Sequence, residues 1–120
     1  MQTISHLIKA FKIAEIISED ILIQTTEDGL ELLGNIYYQD FDGLILHAKN
    51  ITPAFFDLKN GMAGEILQKF SNYRVRLAIV GDFSNYASKS IKDFMHESNN
   101  AGHINFVGSL EEALNILSKV

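Results

Sequence analysis

The chain contains no cysteine and one proline, Pro53. Without cysteine there is no disulfide, no thiolate nucleophile and no thiolate metal ligand. This suits a reducing compartment, so the expected location is the cytoplasm. No internal repeat, low-complexity tract or proline-rich stretch marks a linker. No apolar run approaches the ~18 residues that a bilayer-spanning helix needs, so no membrane association is expected. The apolar start, MQTISHLIKAFKIAEII, is interrupted by Lys9, Lys12 and Glu15. It lacks the continuous apolar stretch and cleavage site of a signal peptide and is expected to be mature, folded protein. Positive charge is scarce too: 10 Lys and Arg stand against 15 Asp and Glu, a net charge of −5. Phosphate backbones are bound by basic surfaces, so no nucleic-acid partner is expected.

What is present describes one domain, residues 1–120. The 120 residues are 47% hydrophobic and 21% charged, enough for a core without covalent staples. SHLIKAF and KIAEII read as an antiparallel strand pair. After Gln24 the period changes: Leu30, Leu33 and Tyr37 fall at helical spacing, with Thr25 and Asp28 forming a cap-like start. GLILHA is an apolar strand. TPAFFDLKNGMAGEILQKFSNY follows as a second helix entered through Thr52 and Pro53. VRLAIVG has the continuous apolar character of a strand buried on both faces. YASKSIKDFMHESNN predicts a third helix, with Ala87, Ile91, Phe94, Met95 and Ser98 on its apolar face. INFV is a short strand, and SLEEALNILSKV is a last helix opened by a capping box of Ser109 and Glu112. The order β-β-α-β-α-β-α-β-α predicts an α/β fold with a mostly parallel sheet covered by helices.

The block FFDLKNGMAGEILQKFSNYRVRLAIVGDFSNYASKSIKDFMHESN resembles an uncharacterised bacterial family known as domain of unknown function 4180. That resemblance extends over nearly the whole chain and implies no activity. The element order is more remotely similar to that of STAS domains, the anti-sigma-factor-antagonist fold. In those domains a loop of the form D-S-[ST]-G-L precedes a helix. Asp57 matches the aspartate and Gly61 resembles the glycine, with one extra residue between them. The position of the phosphorylatable hydroxyl holds Leu58 or Lys59, and no serine or threonine lies between Asp57 and Gly64. The STAS resemblance therefore implies a regulatory module without a phosphoserine switch in that loop.

The same stretch raises a question of its own, because a glycine inside a helix costs about 1 kcal/mol relative to alanine. At 100° per residue, Leu58, Met62, Ala63, Ile66, Leu67 and Phe70 form one face. Asp57, Gly61, Gly64 and Gln68 lie opposite, flanked by Asn60 and Glu65. Either the helix begins only near Gly61, which then belongs to a turn, or another backbone approaches the outer face. The second alternative makes Asp57, Asn60, Gly61, Gly64, Glu65 and Gln68 candidates for binding a protein partner or a second copy of the chain.

A second candidate set comprises Asp82, Ser84, Ser88 and Lys89, between the end of one strand and the start of the third helix, with His47 at the end of another strand; open α/β sheets bind ligands at the carboxyl ends of strands. The free N–H groups at the start of the third helix could hold an anion there, although Ser90 and Asp93 also read as a capping box. His47 and Asp82 make a conceivable acid–base pair. His6, His96 and His103 have no ligand spacing with His47, so no metal site is expected. No phosphate-binding loop or dinucleotide fingerprint occurs, and no cofactor is expected. No nucleophile, base and orienting group can be assembled, which weighs against an enzyme. The sequence thus favours a non-enzymatic regulatory or protein-interaction module, with a small-ligand or anion site as the alternative.

Overall fold

The strands lie in the sheet in the order in which they occur in the chain. The computed structural model describes residues 1–86 and 88–119. Its elements are β1 (Gln2–Ile8), β2 (Phe11–Ile17), α1 (Thr26–Tyr38), β3 (Gly43–His47), α2 (Met62–Asn72), β4 (Arg76–Val80), α3 (Lys89–Ala101), β5 (Ile104–Val107) and α4 (Leu110–Leu117). The hairpin β1–β2 is antiparallel; β2, β3, β4 and β5 pair in parallel. The architecture is the α/β fold with a mostly parallel sheet that the element order predicts.

Sequential order decides where the helices go. Each crossover moves one strand in the same direction, and right-handed crossovers then place α1, α2 and α3 on one face. Alternate strand residues, among them Ala14, Ile16, Leu44, Leu46, Leu77 and Ile79, join the core beneath those helices. Ile13, Ile45, Ala78 and Val107 point the other way and meet Ala113 and Leu117 of α4. An eight-residue helix is about 12 Å long, whereas five strands span roughly 19 Å. The lone helix α4 leaves part of its face thinly covered, and Ile4, His6 and Ile8 of β1 are half-buried there.

Local chemistry sets the boundaries. Thr25 and Asp28 form a full capping box at α1. Ser109 accepts from the Glu112 N–H at α4, while Glu112 accepts from the Gly108 N–H. Gly29 lets α1 and α2 approach: a Cβ there would lie 2.7 Å from Ile66 Cδ1.

The long second helix predicted from Thr52 onward is not continuous. Two short 3-10 turns, Pro53–Phe56 and Leu58–Asn60, precede α2. Asp57 accepts from the Lys59 N–H, and Asn60 accepts from the Met62 N–H while donating to the Ala54 carbonyl. Gly61 has φ 76°, outside the right-handed helical region. These side-chain bonds offer the backbone an alternative to the helical ladder. The third helix starts at Lys89, with Ser88 rather than Ser90 at its cap. On its apolar face Ile91, Met95 and Ser98 are buried and Phe94 is half-buried; Ala87 lies outside the described residues. The first strand begins earlier than SHLIKAF suggests, and Lys9 and Ala10 form the hairpin turn.

Candidate functional site

The α4 face of the sheet carries a buried carboxylate. Glu15 on β2 stands opposite Ile4 of β1 and Ile45 of β3. His6 is opposite Ile13, and His47 is two residues beyond Ile45, so strand alternation sends all three polar side chains to one face. Glu15 is only 4% exposed. Its Oε1 accepts from His6 Nε2 at 3.0 Å and its Oε2 from His47 Nε2 at 2.8 Å. Burial pushes the Glu15 pKa up, but the hydrogen bonds and positive charge of His6 and His47 outweigh it and hold the carboxyl below its ordinary value. An ionised carboxylate only accepts, so each imidazole donates from Nε2 and keeps Nδ1 as its second ring nitrogen. The cluster has the base–orienter half of a catalytic set; no nucleophile touches it among the described residues. The two imidazoles bind opposite oxygens of one carboxyl. No group of three or more histidine, aspartate or glutamate side chains among the described residues is arranged to hold a metal ion.

His47 therefore pairs with Glu15 and not with Asp82. Asp82 accepts from both the N–H and the hydroxyl of Ser84, at 3.0 and 2.6 Å. Those bonds hold its pKa below the ordinary value. Lys89 pairs with Asp93 at 2.8 Å on the exposed start of α3. Ser88 caps that helix by position, with no side-chain cap bond among the described residues. Ligand crevices form where successive connections leave a sheet in opposite directions; here all the parallel connections run the same way, and no such crevice arises in mid-sheet.

The other predicted set divides into turn-formers and surface groups. Asp57, Asn60 and Gly61 shape the turn before α2, as the late-starting helix requires. Gly64, Glu65 and Gln68 are exposed on α2, and the space over Gly64 is open. Asp57 and Lys59 also meet Ser88 and Ser90 across a groove of about 600 Å³, beside Phe56 and Tyr86. Residues from both predicted sets thus share one depression. Burial raises the Tyr86 pKa there.

The largest aromatic exposure lies between α1 and α2. Tyr37, Tyr38 and Tyr73 are 46%, 85% and 50% exposed. The Tyr37 ring centre is 5.1 Å from that of Tyr73 and 6.0 Å from that of Tyr38. The three rings border two depressions of about 230 and 410 Å³. A third, of about 290 Å³, continues along α2 between Leu30, Glu65 and Gln68. Tyr37 and Tyr38 are the last two residues of α1; their convergence with Tyr73 needed the α1–α2 packing. Glu15 carried a signal of its own, as an acid in the middle of an apolar strand.

A family model described as "Domain of unknown function (DUF4180)" matches residues 8–117. None of the curated proteins and none of the solved structures matches the chain.

Proposed function

The chain belongs to this DUF4180 family, and we propose that it is a non-enzymatic protein-interaction module of a bacterial cytoplasm, working through the α1–α2 groove. The observation that carries the reading is the trio Tyr37, Tyr38 and Tyr73, exposed together beside two depressions. Tyrosine rings supply large contact area with little rotamer entropy to lose, and they concentrate at association surfaces. The groove runs on to Glu65 and Gln68, so the aromatic anchor and the polar rim lie on one surface. The comparison with STAS regulatory modules rests on element order. With no hydroxyl between Asp57 and Gly64, regulation would act through binding, not through phosphorylation of that loop.

The test is a purified complex with a partner isolated from the native cells. Tyr38→Ala with Tyr73→Ala is expected to weaken binding at least about tenfold, the loss of more than about 1.4 kcal/mol expected of hot-spot residues. The thermal midpoint of the free protein should be kept. Unchanged affinity in a folded double variant refutes the reading.

The groove between Asp57 and Ser88 supports a second reading, a small-anion or ligand site rimmed by Lys59, Ser88 and Ser90. Thermal stabilisation by phosphate, abolished in Lys59→Ala, supports it; no phosphate effect in the wild type rejects it.

A further inference from the structure

The outer edge of β1 is built for pairing. β1 ends the sheet, with no described strand beyond it. Natural sheets protect long edges with proline, lysine, bulges or shortness. The opposite edge strand, β5, has four residues. β1 has seven, QTISHLI, without proline, lysine, arginine or acid. Its register with β2 is unbroken over seven pairs, from Gln2 with Ile17 to Ile8 with Phe11.

The register also fixes which backbone groups face outward. Ile8 and Phe11 flank the two-residue turn and exchange the hydrogen bonds that close the hairpin. Alternation makes His6, Ile4 and Gln2 bond inward as well. Leu7, Ser5 and Thr3 then turn their N–H and C=O groups outward. Ser5 is the midpoint of Gln2–Ile8. An antiparallel copy overlapping the whole strand must place its two-fold axis at that midpoint, and the midpoint residue is one whose groups are free.

We propose that β1 pairs antiparallel with β1 of a second copy, about a two-fold axis at Ser5, joining the two sheets. Ser5 then faces the partner's Ser5, and Thr3 faces the partner's Leu7, each as a hydrogen-bonded pair. Leu7, 77% exposed in the single chain, gains cover from the partner's Thr3. Ile4 stands beside the partner's His6. Within the paired strands Gln2–Ile8 no like charges are opposed in this register, as self-pairing requires. The occupant is a second copy because the free groups and the side chains are complementary to their own two-fold image.

The chain has no cysteine, so one introduced thiol reads the register. Directly opposed residues of a hydrogen-bonded pair have Cα atoms about 5.5 Å apart, within the reach of a disulfide. In the same register Thr3 is four residues, about 13 Å, from the partner's Thr3. The experiment is sedimentation of the full chain over a concentration series, with any tag at the C-terminus, alongside mild oxidation of Ser5→Cys and Thr3→Cys. The wild type is expected to reach twice 13.5 kDa and to dissociate on dilution. Ser5→Cys should form a disulfide dimer at least about ten times faster than Thr3→Cys. Ser5→Lys opposes two ammonium groups at the axis and should stay monomeric at concentrations where the wild type pairs, with an unchanged circular dichroism melt. A wild type that is monomeric at millimolar concentration, or equal crosslinking by the two cysteine variants, overturns the proposal. The double variant Tyr38→Ala with Tyr73→Ala should still dimerise, which separates this edge from the tyrosine groove; loss of dimer in that variant also overturns it.

Discussion

Glu15 and His47 are 32 residues apart in the chain and 2.8 Å apart in space. Their bond joins the hairpin strand β2 to the first parallel strand it meets, and His6 completes the link to β1 at 3.0 Å. A buried carboxylate without such partners would be a liability. Here both oxygens have donors, so the sheet face that α4 leaves thinly covered is held by polar bonds.

The cluster makes stability depend on acid. The folded state holds the Glu15 pKa below its ordinary value of 4.5. Between the ordinary and the folded value, the unfolded chain binds a proton that the native chain does not. The stabilisation is therefore complete above about pH 4.5 and fades as pH falls through the folded pKa. Glu15→Gln should lower the urea-unfolding free energy at neutral pH by about 1–3 kcal/mol, the range for hydrogen bonds to charged groups. The gap to wild type should narrow on acidification. A gap of constant size between pH 7 and 3 would mean that the carboxylate charge is not what stabilises the strands.

Two glycines in one short stretch should respond to alanine with opposite sign. Gly61 sits at φ 76°, where a Cβ is strained. Gly61→Ala should destabilise by about 1–2 kcal/mol. Gly64 lies within α2, exposed, with nothing within 4 Å of where a Cβ would stand. Gly64→Ala should stabilise by about 0.5–1 kcal/mol. Thermal unfolding of the pair decides it, and equal signs would contradict this placement of the helix start.

These contrasts show what the sequence made legible. Period and caps located the last four strands and two of the helix starts closely, because Thr25, Ser109 and the apolar runs act through near neighbours. The late start of α2 was open, since it turns on Asn60 reaching Ala54 as well as on Gly61. The His6–Glu15–His47 cluster needed two facts together, the hairpin register and the parallel neighbour of β2. Their shared place after the carboxyl ends of strands suggested His47 with Asp82; the side of the sheet on which His47 falls sent it to Glu15 instead. Tyr73, far along the chain from Tyr37, meets it through the packing of α1 on α2, an approach that Gly29 permits at Ile66.

Asn50 ties the segment after β3 to the loop after β2, and its amide should be irreplaceable by an acid of the same shape. It is fully buried, and Nδ2 donates to the carbonyls of Ser18 and Asp20, each at 2.8 Å. Its own carbonyl accepts from the Leu22 and Ile23 N–H groups. Oδ1 has no protein partner among the described residues. Asn50→Ala should cost about 2–3 kcal/mol, for two lost bonds and a buried carbonyl left unpaired. Asn50→Asp should cost more at neutral pH, because an anionic acceptor then faces two other acceptors in a dry site. Burial raises the pKa of such a carboxyl. Its folded value then exceeds the unfolded one, so Asn50→Asp should gain stability on acidification as the acid takes up a proton and becomes a donor. That slope is opposite to the one Glu15 gives the wild type. Urea titrations of both proteins at pH 7 and 5 measure it: an Asn50→Asp variant whose deficit does not shrink at pH 5 would show that this amide is not the donor holding the two loops together.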